Sequence, residues 1–181
     1  MDQGFATLAA RMGDFLRVSQ DGYAIFTADD ILQGCNQAFA DILYLDSDKI
    51  IGKSFDELYR QVFKNQQGPK IDTLDIDGWL LESSKKRRSR EFRLFEIDLV
   101  DGRWFLISEQ TLSNGDLLLQ AKNITKQKML EQDLHKHTTQ LTNIASTDEL
   151  TQISNRRCLI NQIKVELKRC ARKRKARYFV C

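Results

Sequence analysis

The chain has 181 residues, 41% of them hydrophobic and 29% charged, with a formal net charge of +3. That length holds one ordinary domain plus an extension, or two very small domains, and excludes a large multidomain enzyme. The composition is that of a globular chain; no run approaches the roughly 20 apolar residues that span a bilayer, and Met1 to Arg11 lacks the order of a signal peptide, so a cytoplasmic location is expected.

In chain order, Phe5, Leu8, Ala9, Met12, Phe15 and Leu16 recur at the spacing of one helical face. This predicts an N-terminal amphipathic helix over 1–18, broken by Asp21-Gly22. Tyr23 to Thr27 and Ile31 to Cys35 read as short strands around an Asp29-Asp30 turn. Asn36 is placed to cap the next helix, where Phe39, Ile42 and Leu43 share a face. Gly52 and a short amphipathic stretch, Phe55 to Phe63, lead into a polar loop holding Pro69.

Between Arg90 and Thr125, three runs of β-branched, aromatic and Leu residues are separated by Asp101-Gly102 and Asn114-Gly115. These dipeptides suit tight turns because Gly, Asn and Asp tolerate positive φ, so an antiparallel meander is expected. In its third strand Leu117, Leu119 and Ala121 face one way, toward a core.

All nine glycines and Pro69 precede Asp116, so the remainder reads as helical. There Leu130, Leu134, His137, Leu141 and Ile144 repeat with spacing 4, 3, 4, 3, a heptad seam of about two repeats. It reads as the seam of a parallel dimer, with a helix packed on its own domain as the alternative. A second helix is expected from about Arg156 to Lys175, with Leu159, Ile160, Ile163 and Leu167 on its apolar side. Tyr178 to Cys181 is apolar enough for a strand. Charge is asymmetric, since residues 156–181 carry ten Lys and Arg against one Glu.

Two short strands, a helix opening at an Asn, a mixed helical stretch and a three-strand meander make up an order of elements that resembles a PAS domain. Asp21-Gly22-Tyr23-Ala24-Ile25 resembles its first strand, Asn36-Gln37-Ala38-Phe39 its first helix, and Gly52-Lys53-Ser54-Phe55 its Gly-x-Ser/Thr step. Arg103-Trp104 with Asn123-Ile124-Thr125-Lys126 resembles the last two strands and the Asp-Ile-Thr exit. The resemblance implies an α+β fold over 19–125, a five-stranded antiparallel sheet with helices on one face, flanked by the N-terminal amphipathic helix and a C-terminal signalling helix over 126–147. It also implies that Arg103, Trp104, Asn123, Ile124 and Thr125 transfer a signal to that helix. Where the exit motif normally begins with Asp, this chain has Asn123, a neutral amide that removes a charge-based coupling to Arg103.

Asp148-Glu149-Leu150-Thr151-Gln152-Ile153-Ser154-Asn155-Arg156-Arg157 resembles the Asp-x-Leu-Thr-x-Leu-x-Asn-Arg-Arg opening of GGDEF domains, the diguanylate cyclases that join two GTP into cyclic di-GMP. Asp148, Leu150, Thr151, Asn155, Arg156 and Arg157 match. The segment is expected to form a wide turn between two helices, with Asn155 as a cap and Asp148 reaching Arg156 or Arg157. The family's metal-binding Asp and its Gly-Gly-Asp-Glu-Phe hairpin lie beyond the matched stretch. No acidic residue follows Glu166 to hold Mg²⁺, so 148–181 reads as the truncated start of that domain, inactive alone.

The four cysteines, Cys35, Cys158, Cys170 and Cys181, show no CxxC spacing, which argues against a structural zinc site and for reduced thiols. Haem is not expected, because His135 and His137 lie on the exit helix outside any PAS pocket. A flavin-adduct motif is absent, Cys35 reads as a core residue, and no cofactor is identifiable; a small-molecule PAS ligand stays open. Lys85-Lys86-Arg87-Arg88 reads as a solvated face on a loop before a strand. The basic tail from Arg169 to Arg177 reads as the solvent side of a helix, and it lacks the interleaved aromatics of a nucleic-acid binder. The leading expectation is a homodimeric PAS input module of a cyclic di-GMP signalling protein, without metal or nucleic acid. A stand-alone PAS interaction module with degenerate output, or a basic-tailed nucleic-acid binder, remain as alternatives.

Overall fold

The computed structural model describes residues 3–146 and, further on, residues 160, 163, 164 and 167–169. The chain divides into two compact units, Met1–Lys128 and Met129–Cys181. In the first, the elements run α1 (Gln3–Val18), β1 (Gly22–Phe26), β2 (Leu32–Cys35), α2 (Gln37–Leu43), α3 (Ser47–Ile50), α4 (Phe55–Asn65), α5 (Ile76–Lys86), β3 (Phe92–Asp98), β4 (Trp104–Thr111) and β5 (Leu117–Asn123). Helix α6 (Thr125–Ser146) follows directly. The segment matching the cyclase opening, with Asp148, Leu150, Thr151, Asn155, Arg156 and Arg157, lies outside the described residues, as do Cys158, Cys170 and Cys181.

The strands form one antiparallel sheet in the order β2-β1-β5-β4-β3, with the first hairpin against the last strand of the meander. The predicted turns both form. Each is a three-residue connection ending on a glycine in the left-handed region, Gly102 at φ +86° and Gly115 at φ +87°, and closed by Leu99–Arg103 and Leu112–Asp116 hydrogen bonds. The inward residues of β1, β4 and β5, among them Phe26, Ile107 and Leu119, join Phe39, Leu43, Leu58 and Val62 of the helices in a single core. The sheet is thus covered by helices on one face, the α+β arrangement implied by the PAS resemblance.

Caps explain where the helices start. Asn36 Oδ1 accepts hydrogen bonds from the backbone N–H of Phe39 (3.1 Å) and of Tyr23 (2.8 Å), while its Nδ2 donates to the carbonyls of Leu16 and Asp21. One buried amide therefore caps α2 and ties it to β1 and α1. A Cβ on Gly22 would stand 2.9 Å from Ile42 Cδ1 and 3.0 Å from Phe39 Cα, so glycine permits that close packing. Ser54 and Glu57 form a reciprocal capping box at α4.

Helix α5 corrects the expectation of a polar loop between α4 and the meander. Asp75 caps it by accepting from the Gly78 N–H at 2.9 Å, and Leu80 anchors it in the core. No helix among the described residues is long and apolar enough to cross a membrane.

Candidate functional site: a cavity with a buried arginine cluster

Between the sheet and α4 and α5 lies a cavity of about 360 Å³. Its apolar wall includes Phe39, Ile42, Phe55, Ile107, Leu119 and Ala121. A run of stacked rings crosses two helices: Phe55 on Tyr59 at 4.2 Å and Tyr59 on Trp79 at 5.3 Å between centroids. Burial pushes the Tyr59 phenol up to about 12, so it is a hydrogen-bond donor at neutral pH.

The polar end of the cavity comes from a bend in the backbone. Arg87 ends α5, its N–H donating to the Ser83 carbonyl, and Arg88 takes a left-handed φ of +57°. These two residues turn the chain from α5 into β3 and bring both guanidinium groups inward. Arg87 donates from Nε and Nη2 to Asp30 Oδ1 at 3.1 and 2.8 Å, and its Nη1 lies 3.5 Å from Glu109 Oε1. Its guanidinium also lies over the rings of Phe26 and Phe55, at 4.9 and 4.0 Å. Arg88 donates to the Gly115 and Thr27 carbonyls and pairs with Asp30. From β3, Arg93 Nη1 donates to Glu109 Oε2 at 2.9 Å.

The reading of Lys85 to Arg88 as a solvated face on a loop is thereby corrected. Lys85 and Lys86 are the last residues of α5 and exposed, but the Arg87 side chain is only 4% exposed. The run is split because Arg87, unlike a lysine, can satisfy a planar fork of donors on two carboxylates while stacking on aromatic rings. Glu109 was not singled out from sequence, although the signal is there: it follows Phe105 and Ile107 on the inward face of β4 at period two, and its side chain is 4% exposed. Burial pushes the Asp30 carboxyl up, but the hydrogen bonds and charges of Arg87 and Arg88 outweigh this and hold it below the usual carboxylate range.

The expected signal-transfer residues fall into two groups. Trp104, Asn123, Ile124 and Thr125 meet where β5 becomes α6: Thr125 Oγ1 accepts from the Trp104 N–H at 2.9 Å, Asn123 Oδ1 accepts from the Thr125 N–H at 2.9 Å, and the Ile124 N–H donates to the Trp104 carbonyl at 2.8 Å. Ile124 is buried, and Lys128 of α6 pairs with Glu96 at 2.6 Å. Arg103 stands apart. Its Nε donates to Asp101 Oδ2 at 2.6 Å and its Nη2 to the Tyr44 hydroxyl at 3.3 Å, while that hydroxyl donates to Asp101 at 2.6 Å. Asn123 therefore acts as a backbone cap, a task for which an amide oxygen serves as well as a carboxylate.

Of the heptad seam, Leu130, Leu134 and His137 are exposed on α6. Leu141 and Ile144 lie on the same helix, and their side chains fall outside those described. Cys35 is half-buried against the core, and burial pushes its thiol up to about 11.

No family model and no curated protein matches the sequence. Solved structures similar to the chain include a domain of a sensory box sensor histidine kinase/response regulator from Geobacter sulfurreducens, 19% identical over 67% of this chain and 96% of that one, TM-score 0.45. The PAS domain of an HTR-like protein from Haloarcula marismortui is 17% identical over 67% and 96%, TM-score 0.41. The PAS domain of Bordetella pertussis BvgS is 16% identical over 77% and 99%, TM-score 0.42. On its own strand order and helix placement, the chain has the PAS fold.

Proposed function

We propose that this chain is the sensory module of a signalling protein, in which a small molecule occupying the cavity alters the joint between β5 and α6. The observation that carries this reading is that one strand serves both places. Leu119 and Ala121 of β5 line the cavity, and the same strand ends two residues later in Asn123-Ile124-Thr125, whose hydrogen bonds start α6. A ligand that bears on β5 therefore acts on the first turn of the exit helix, and close-packed cores convert such small shifts into discrete rearrangements.

The resemblance of Asp148 to Arg157 supports an output of the diguanylate cyclase class. Leu130 and Leu134, 61% and 69% exposed in the single chain, support a parallel homodimer seam continued by His137, Leu141 and Ile144 as the route to it. Trp104, the first residue of β4, supports the joint through its bonds to Ile124 and Thr125.

Amide hydrogen exchange on the full chain, with and without small organic acids, amides and alcohols, tests the coupling. A binder that protects the cavity wall and also changes exchange at residues 123–130 is the expected result. Protection confined to the wall would overturn it. Sedimentation of Leu134→Glu/Leu141→Glu tests the seam: a folded monomer is expected, and an unchanged dimer would refer association to the exposed apolar side of α1, around Leu8, Met12 and Phe15.

A further inference from the structure

Resting on the reading of the cavity as a ligand site, we infer that its ligand is a small organic monoanion, a carboxylate on an apolar body, with the carboxylate seated on Arg93. The charges around the cavity's polar end do not balance. Arg87, Arg88 and Arg93 supply three positive charges, and Asp30 and Glu109 supply two negative ones. One anion would complete the set, and the side chains involved are between 4% and 28% exposed, where an unbalanced charge is costly.

The vacant donors belong to Arg93. Its Nη1 is engaged by Glu109 and its guanidinium lies 4.8 Å from the Phe95 ring centroid, whereas its Nε and Nη2 have no hydrogen-bond partner among the described residues. That leaves one edge of a planar fork, the geometry that matches a carboxylate with two parallel hydrogen bonds. Arg87 has no such edge left toward a ligand, since all three of its nitrogens face Asp30 or Glu109. Arg88 spends its nitrogens on Asp30 and two backbone carbonyls. Tyr59, which also lines the cavity and whose hydroxyl has no partner among the described residues, is a candidate for one more donor.

A cationic ligand does not fit. Both Glu109 oxygens already face arginines, and of the two lysines at the rim Lys70 is paired with Asp72 and Asp98 while Lys86 adds positive charge. The apolar body follows from the wall of aromatic and aliphatic side chains. Size follows from the volume: about 360 Å³ lies at the small end of the roughly 300–1,000 Å³ usual for ligand pockets.

Isothermal titration of the full chain with matched series tests this: hexanoate and phenylacetate against hexanamide and phenylacetamide, and hexylammonium as the cation. The acids should bind at least about tenfold more tightly than their amides, the difference expected for charge-assisted hydrogen bonds. Arg93→Met should erase the gap. Should that variant fail to fold, Arg93→Lys, which keeps the charge beside Glu109 but not the fork, should narrow it, and Tyr59→Phe should weaken acids more than amides. Amides or the ammonium binding as tightly as the acids would overturn the monoanion while leaving the cavity as a ligand site. Binding by no member of any series at millimolar concentration would overturn both.

Discussion

Two arginine clusters in this domain are made of the same parts and work in different surroundings. At the cavity, Arg87 meets Asp30 and Glu109 with its side chain 4% exposed; at the β3–β4 hairpin, Arg103 meets Asp101 and Tyr44 with its side chain 35% exposed. Both arginines make a short hydrogen bond to an aspartate, at 2.8 Å and 2.6 Å, and both lie over aromatic rings. Only in the first does removing one partner leave another charge out of reach of water. The same contact is therefore a structural necessity in one place and an ornament of the surface in the other, and the buried cluster is the one positioned to read a ligand's charge.

The largest expected effect breaks the buried cluster. Arg87→Met keeps much of the apolar stem but leaves Glu109 with Arg93 alone and deprives Asp30 of two hydrogen bonds. Breaking a buried pair on one side costs about 3–5 kcal/mol, so a urea melt should show a loss of that size, with near-complete unfolding an admissible extreme. A loss under about 1 kcal/mol would mean that water reaches Glu109 freely, and the contrast between the clusters would collapse.

The double variant Arg87→Met/Glu109→Gln sharpens the comparison. If the cost of Arg87→Met is mainly a stranded carboxylate, removing that carboxylate's charge should recover part of it. A coupling of about 1–3 kcal/mol between the two substitutions is expected from urea melts of the single and double variants. Strict additivity would assign the cost to the lost stacking on Phe26 and Phe55 instead.

How far the sequence revealed these features follows from which interactions are local. The meander was legible because strand alternation and the Asp101-Gly102 and Asn114-Gly115 turns are decided by neighbours in the chain. The Asn36 cap was legible for the same reason, although its bonds to Leu16 and Tyr23 were not. Helix α5 was missed because Gly78, Ser83 and Ser84 dilute its apolar pattern, and its hold on the fold comes from Trp79 and Leu80 meeting distant residues. Arg87 was misread because a run of four basic residues looks uniform until the left-handed turn at Arg88 separates its members. The partners that bury it, Asp30 and Glu109, lie 57 and 22 positions away. Of the exit-motif residues, Trp104, Asn123, Ile124 and Thr125 are hydrogen-bonded together, whereas the separate environment of Arg103 is set by tertiary contacts with Asp101 and Tyr44.

At the hairpin, Arg103→Ala should cost less than about 1 kcal/mol, because water and counterions screen an exposed pair and Asp101 can be solvated when its partner is gone. A urea melt would reveal it, and the small loss should shrink further in high salt. A cost matching that of Arg87→Met would show that the Tyr44 contact locks the hairpin onto α2, making this cluster as structural as the other.

The smallest expected effect lies in the acid limb of the stability curve, where both clusters contribute with the same sign. In Asp30 burial works against ionisation, and the arginine partners overcome it; in Asp101 burial likewise pushes the carboxyl up, and hydrogen bonds from Tyr44 and from the backbone and side chain of Arg103 overcome it. Both folded-state values therefore lie below the unfolded aspartate value of about 3.9. A carboxyl depressed on folding binds fewer protons in the folded than in the unfolded chain. Its stabilisation is fully present above about pH 4 and is lost as pH falls through its lower, folded value. Neither group should affect the slope of stability between pH 5 and 8. Below about pH 4, Asp30→Asn and Asp101→Asn should each flatten the acid loss, followed by urea midpoints at stepped pH. At neutral pH the two should part company: Asp30→Asn leaves the buried Arg87 and the half-buried Arg88 without their shared carboxylate and lowers the midpoint, whereas Asp101→Asn leaves Arg103 solvated and barely moves it. Equal midpoints at pH 7 would show that burial of Arg87 rests on Glu109 and the two phenylalanine rings, with Asp30 as a bystander.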